Sequence, residues 1–393
     1  MRSQLPALTS VRFLAAVWVA IFHAQVMRVF CGPVWLQLIG FVGYMGVSFF
    51  FVLSGFILVY TYSDRVVGLR EFWQMRFARI YPALFFSLIL TAPGFFYVCL
   101  RMDVPKIVPE WVWPAAHLKL SAITTLAMLQ TWIPQNSLAW HMPTWSLSNE
   151  AFFYFLFPFL LPLFLRFSRK QLFLLVAAIF LIGLTVTALY NVINPDGALV
   201  LDRRAMAFWR CVVSYHPLMR LPEFLAGMAC GVLFLRHGSN RRWAWPLILT
   251  GVGLIAIVAT VLHRHPFMLL HAPAVAPLFA AIVYGVALRP AGLDFLERKF
   301  FLLLGDASYS FYLLHTMVLS AYGRFFLDAA GNLRRQNALW FLLPIATIAL
   351  VSILVYKFIE QPMRRVLRPK RTKAGEENSA TLPTALPPTE PAS

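Results

Sequence analysis

Acidic residues are scarce in this chain. Of its 393 residues only 16 are Asp or Glu, against 34 Lys or Arg, and charged residues of both signs make up 13%. Soluble globular domains carry about a quarter charged residues, so that class is excluded. Cysteines number four and show no metal or redox spacing. Cys31, Cys99 and Cys211 fall near one face, which leaves a disulfide open, but ordinary buried thiols account for them. The long apolar runs lack polar/apolar alternation, which excludes a membrane β-barrel.

What remains is apolar: 60% hydrophobic and 16% aromatic residues, with a mean hydropathy of +0.70. Ten runs, at 11–30, 41–61, 81–100, 148–166, 171–190, 220–236, 243–262, 268–288, 306–326 and 338–358, are each near the length that crosses a hydrocarbon core. The expected fold is an all-α polytopic membrane protein. A single bundle of about ten transmembrane helices occupies residues 1–366, and a basic, then disordered cytoplasmic tail occupies 367–393. The first apolar run is full length and lacks a small-residue cleavage site, so no cleavable signal peptide is expected.

The net charge of +18 does not indicate nucleic acid, because of where it sits. With the amino terminus inside, the cytoplasmic segments carry Arg65, Arg70, Arg76, Arg79, Arg166, Arg169, Lys170, Arg236, Arg241, Arg242, Arg289, Arg298 and Lys299. The opposite loop 101–147 is long yet holds only Arg101, Lys106 and Lys119. That asymmetry is the positive-inside pattern, and the expectation is an inner-membrane protein with both termini in the cytoplasm. Segment 101–147 has five prolines and four tryptophans between 111 and 140, a composition that suits a stretch lying along the interface. Asn194-Pro-Asp-Gly197 opens the second outer loop, 191–219, as a turn.

Against this apolar background a few ionisable groups stand out, and intramembrane charges usually serve a function. Arg12 and His23 share the first span. At about 100° per residue they face one groove, roughly 16 Å apart along the axis. A cation near one surface and a titratable base deeper in suit an enzyme that holds an anionic donor and transfers part of it. A snorkelling arginine and a core histidine fit the same spacing. Arg76 and Arg79, at i and i+3, share a helix face at the cytoplasmic start of the third span and suit phosphate, although positive-inside topology alone also predicts them. Glu150 opens the fourth span from outside, at a depth matching His23. It either orients that imidazole as a general base or sits in the first turn of a helix capped by Ser146 or Ser148. Ser54 and Gly55 permit close helix approach. Arg220 and Glu223 open the sixth span at the outer face, to meet a polar acceptor or each other. His315 lies midway along the ninth span, as a second catalytic group or a hydrogen-bonded core histidine. Glu360-Gln-Pro362 closes the tenth beside the basic stretch, where Glu360 can pair with Arg76, Arg79 or Arg12. Histidines 117, 141, 216, 237, 263, 265 and 271 receive no role.

These elements in this order resemble the membrane acyltransferase-3 family, integral-membrane O-acyltransferases that modify bacterial glycans and some small molecules. The resemblance spans roughly residues 5–365. It rests on Arg12-x10-His23, Ser54-Gly-Phe56, Arg76-x-x-Arg79-x-x-Pro82, Trp145-Ser-Leu-Ser-x-Glu150, Arg220-Leu-Pro-Glu-Phe224, the serine-rich approach to His315, and Glu360-x-Pro362. It implies transfer of an acyl group, most often acetyl, from cytoplasmic acyl-CoA to a sugar hydroxyl. His23 would be the essential histidine and Arg12 its paired arginine. Arg76 and Arg79 would engage the donor, Glu150 would act with His23, and Arg220, Glu223 and His315 would meet substrate. Ser54, Gly55, Trp145, Ser148, Glu360 and Pro362 would support them. Acyl-CoA is then a co-substrate, with no tightly bound cofactor and no metal. The partners are a carbohydrate or glycolipid acceptor and membrane lipid. Some relatives carry a fused extracytoplasmic esterase-like domain, for which this tail is too short, so transfer is expected to be direct or to use a separate extracytoplasmic partner. The competing reading is a transporter or flippase for a lipid-linked glycan; an acyltransferase for a small-molecule acceptor such as a macrolide is the other alternative.

Overall fold

The computed structural model describes residues 4–29, 34–197, 206–238, 240–264, 270, 272–326 and 341–369. Among the described residues ten helices build the bundle: α1 (Pro6–Val26), α2 (Gly46–Tyr62), α3 (Leu69–Arg101), α4 (Trp145–Arg166), α5 (Arg169–Ile193), α6 (Pro217–His237), α7 (Ala244–Arg264), α8 (Ala276–Ala287), α9 (Ser308–Phe326) and α10 (Leu342–Val355). A short helix, α11 (Gln361–Leu367), follows α10. The described residues contain no strand. Eight helices among them are long and apolar enough to span a bilayer. The remaining two expected spans correspond to α8, a shorter apolar helix, and to α9, which carries Ser308, Ser310, His315 and Ser320. This is an all-α multi-pass membrane protein.

Helix ends depart from the hydropathy reading for local reasons. α1 begins at Pro6, because proline suits the first helical turn, where its missing N–H goes unused. α3 starts after Gly68, well before the expected boundary, and at about 50 Å is longer than the bilayer core. Arg76 and Arg79 therefore ride on a formed helix. After α10 the chain makes a π-turn at Tyr356–Glu360. Pro362 has no N–H to give the Phe358 carbonyl and crowds it, which favours the wider turn.

Packing fixes relative direction. α2 and α6 lie backbone to backbone: a Cβ on Gly55 would fall 2.2 Å from the Phe224 carbonyl oxygen, and one on Gly227 2.0 Å from that of Val52. α1 and α9 run parallel, in contact from Thr9 with Gly305, through the Phe13–Phe311 ring pair, to His23 with His315. α4 runs against them.

Segment 101–147 is not a chain lying on the interface. It folds into short α and 3₁₀ pieces, and its second half is buried, with Gln130, Thr131, Asn136 and Ser137 fully inaccessible. Irregular backbone in an apolar setting must find partners for its polar groups, and side chains supply them. Ser121 donates to Asn136 at 2.7 Å, Gln130 Nε2 donates to the Thr144 carbonyl at 3.0 Å, and the Trp140 indole donates to the Leu88 carbonyl at 3.1 Å. The turn after α5 forms as expected, with Asn194 and Gly197 at positive φ. Cys99, Cys211 and Cys230 are free thiols. The expected tail disorder at 374–393, Cys31 and the centre of the second outer loop lie outside the described residues.

Candidate active site

Five helices, α1, α2, α3, α4 and α9, line a partly open cavity. Three of its wall residues, Ser146, Glu150 and Tyr154, recur every four positions on α4 and so form a ladder down one helix face. At the Tyr154 end stand Arg12, Arg76 and Arg79. The Arg76 guanidinium lies 5.5 Å from the Tyr62 ring centroid and 5.7 Å from that of Tyr154, and donates to the Tyr62 hydroxyl at 2.9 Å. Arg79 is within electrostatic reach of Glu150, Tyr154 and Glu360. At the other end Ser146 donates to the Tyr312 hydroxyl at 2.9 Å, and Tyr312 donates to the Pro143 carbonyl at 3.1 Å. The wall between is mostly apolar, with Val47, Phe50, Leu53 and Leu147.

Glu150 sits midway. It accepts a hydrogen bond from Tyr154 and another from Ser54 at 3.3 Å. The expected pairing of Glu150 with His23 is not formed. Because α4 and α9 run in opposite directions, Glu150 lies one turn inward of Ser146, while His315 lies nearly a turn outward of Tyr312. The two levels differ by about 10 Å. His23 meets His315 instead: Nδ1 of His23 is 3.2 Å from Nε2 of His315, with ring centroids 4.8 Å apart.

The hydrogen-bond network assigns the tautomers. His315 Nδ1 lies 2.5 Å from the Tyr312 carbonyl, which only accepts, so Nδ1 carries the proton and Nε2 is an acceptor. His23 Nδ1 must then be the donor, shared between His315 Nε2 and the Val19 carbonyl at 3.0 Å. This leaves His23 Nε2 with a free lone pair, and it has no partner among the described residues. His23 is partly accessible, whereas His315 is fully buried. A neutral imidazole with one nitrogen held and the other bare is the form that accepts a proton.

The other candidates separate by position. Arg220 and Glu223 do not reach the cavity. They form an ion pair at 2.9 Å with both side chains buried, and Arg220 also donates to Ser48 and lies 5.3 Å from the ring centroids of Phe51 and Trp145. Two charges in so apolar a surrounding are tolerated only together, so this pair braces α6 against α2 and α4 rather than receiving an acceptor. Trp145 packs in that brace. Ser148 donates to the Met128 carbonyl at 2.7 Å and bonds Thr131, anchoring the outer segment. Gly55 serves the α2–α6 contact. Glu360 accepts from Ser310 at 2.9 Å within electrostatic reach of Arg79 and Arg364, and Pro362 shapes the turn that places it.

Comparison with known proteins bears on the chemistry. The acyltransferase-3 family model, described as an acyltransferase domain, matches residues 5–361. The chain belongs to the acyltransferase-3 family. As a family member it is a multi-pass membrane acyltransferase. It is 27% identical to the acyltransferase MdmB of Streptomyces mycarofaciens over 391 residues, covering 96% of both chains. It is 23% identical to the O-acetyltransferase OatA of Staphylococcus aureus, covering 92% of this chain but 57% of OatA, so it spans little more than half of that protein. With the exopolysaccharide production protein ExoZ of Rhizobium meliloti it shares 27% identity, covering 85% of this chain and 93% of ExoZ. No solved structure matches.

Within this acyltransferase-3 chain the fold gathers Arg12, Ser54, Arg76, Arg79 and Glu150 around one cavity and sets His23 with His315 just beyond its far end. Ser146, expected only as a helix cap, and Tyr154 and Tyr312, given no role, line the same cavity. Their four-residue spacing from Glu150, and the three-residue step from Tyr312 to His315, were the available signals. His141, given no role, is buried and bonds the Leu313 carbonyl at 2.7 Å, helping to fasten the outer segment to α9.

Proposed function

We propose that this acyltransferase moves an acyl group, acetyl in the simplest case, from cytoplasmic acyl-CoA to a hydroxyl of an envelope or exported carbohydrate, in a bacterial inner membrane. The observation that carries this reading is the polarity of the cavity. Three arginines crowd one end, and a histidine with a free Nε2 lies past the other, about 16 Å from Arg12 along α1. Arginine forks suit the donor's phosphates. The apolar middle accepts a pantetheine arm, whose extended length is comparable with the arginine-to-histidine distance.

In this reading His23 Nε2 takes the proton from the acceptor hydroxyl as its oxygen attacks the thioester carbonyl. The carbon–sulfur bond breaks, the proton held on His23 Nε2 passes to the departing thiolate, and the coenzyme leaves as a thiol while the imidazole returns to its neutral form. His315 accepts from His23 Nδ1 and holds the ring in that tautomer. Glu150, bonded to Tyr154 and Ser54, belongs to the arginine end and balances part of its charge. The exopolysaccharide relative supports a carbohydrate acceptor, and the O-acetyltransferase relative supports acetyl.

The test is mass spectrometry of envelope and secreted glycans from a deletion strain complemented with wild type or His23→Ala. A positioned base contributes ~10²–10⁴-fold. An acyl mass increment should therefore appear with wild type and be lost with His23→Ala at equal protein abundance. Unchanged glycans with an accumulated lipid-linked precursor would support a transporter instead, and an acylated small molecule would move the acceptor to that class.

A further inference from the structure

The helix beyond the π-turn carries charge that the transfer chemistry leaves unused. α11 lies against α3, where Gln74 Nε2 donates to the Leu367 carbonyl at 3.1 Å. On α11, Arg364 is within electrostatic reach of Arg76, Arg79 and Arg368. Among the described residues Arg364 forms no hydrogen bond or ion pair, and its Nε is buried without a partner. Burying a guanidinium nitrogen without an acceptor is costly, and because Arg364 is only partly buried, an anion arriving from solution can reach it.

Neighbouring carboxylates do not cancel this charge. Glu360 is engaged with Ser310, and Asp306 is shared among Arg12, Arg79 and Arg364. Across the whole inner-face cluster, Arg12, Arg76, Arg79, Arg364 and Arg368 outnumber Glu150, Glu360 and Asp306. A cluster that stays net positive and has an unpaired arginine suits a ligand with more than one phosphate.

Position sorts the phosphates. Arg12, Arg76 and Arg79 line the cavity, whereas Arg364 and Arg368 lie outside it, beyond Glu360. In acyl-CoA the pyrophosphate follows the pantetheine arm, and the ribose 3′-phosphate lies further from the thioester. We propose that Arg364, with Arg368, forms a second anion subsite that takes the 3′-phosphate of the donor, while the cavity arginines take its pyrophosphate. This inference rests on the acyl-CoA reading above.

The experiment compares binding of coenzyme A and 3′-dephospho-coenzyme A to the full chain in lipid nanodiscs, by calorimetry, for wild type, Arg364→Gln and Arg364→Lys. Wild type should prefer coenzyme A by about tenfold, the scale of one charge-assisted hydrogen bond. Arg364→Gln should bind both probes with the affinity of the dephospho form, and Arg364→Lys should recover part of the preference. Equal weakening of both probes by Arg364→Gln, or no preference in wild type, overturns the subsite. Wild type that melts cooperatively yet binds neither probe overturns the donor reading itself, and the subsite falls with it.

Discussion

His315 is the residue whose role the geometry changes most. Fully buried, with Nδ1 committed to the Tyr312 carbonyl, it has a single free acceptor, and that acceptor points at His23. In the proposed transfer His23 takes a proton and gains a positive charge, which strengthens its bond to His315. Hydrogen bonds to charged groups contribute about 1.5–3 kcal/mol. His315→Ala should therefore lower kcat on the order of 10- to 100-fold with little change in donor KM, and His315→Gln, which keeps an acceptor, should retain more activity. A variant that lost donor binding in proportion would mark His315 as packing only. Glu150 gives the complementary case. Glu150→Gln removes a negative charge beside Arg79 and should alter donor KM while leaving the pH profile of kcat in place; a displaced profile would restore the His23–Glu150 pairing. The sequence made both residues conspicuous, since polar groups in apolar helices are few. It did not say which two meet, because depth in a bundle depends on helix direction and stagger, and Glu150 and His315 sit on antiparallel helices.

Among elements, the α2–α6 contact is the stiffest joint. Glycine is required at 55 and 227 because the facing atoms are backbone, which has no rotamer to yield. Gly227→Val should destabilise the protein by on the order of 1–3 kcal/mol or more, read as a lower melting temperature in detergent or as lost expression. If it melts as wild type does, the close approach is not present. Joining these helices also places Ser54 against Glu150, so packing and site are one arrangement here. The membrane-spanning helices were largely legible from apolar run length, eight of the ten expected spans being long and apolar enough among the described residues. The early start of α3, the π-turn before α11 and the folded outer segment were not. Each depends on who satisfies a backbone hydrogen bond, and hydropathy carries no such information. The buried run of Gln130, Thr131 and Asn136 looks like an ordinary polar loop until its partners are seen.

At the scale of the molecule, the orientation we propose from the charge asymmetry of the sequence turns the arginine end to the cytoplasm and the histidine pair toward the outside. In a background without native cysteines, Lys106→Cys should react with a membrane-impermeant maleimide in intact cells, and Arg65→Cys only after permeabilisation. The reverse pattern would put the donor site on the wrong side for a cytoplasmic thioester. A bundle hollowed in this way must also remain tight to protons. The arginines hold a positive field that turns back cations, as charged constrictions do in water-selective pores. At the opposite end the Tyr312 hydroxyl, tied to Ser146 and the Pro143 carbonyl, stands across the route. In the proposed reaction the acceptor hydroxyl loses a proton at the histidine end, and the thiolate, which departs toward the arginine end, needs one. Turnover therefore moves no net charge across the barrier when His23 passes that proton inward, and draws on the ion gradient when the proton leaves outward.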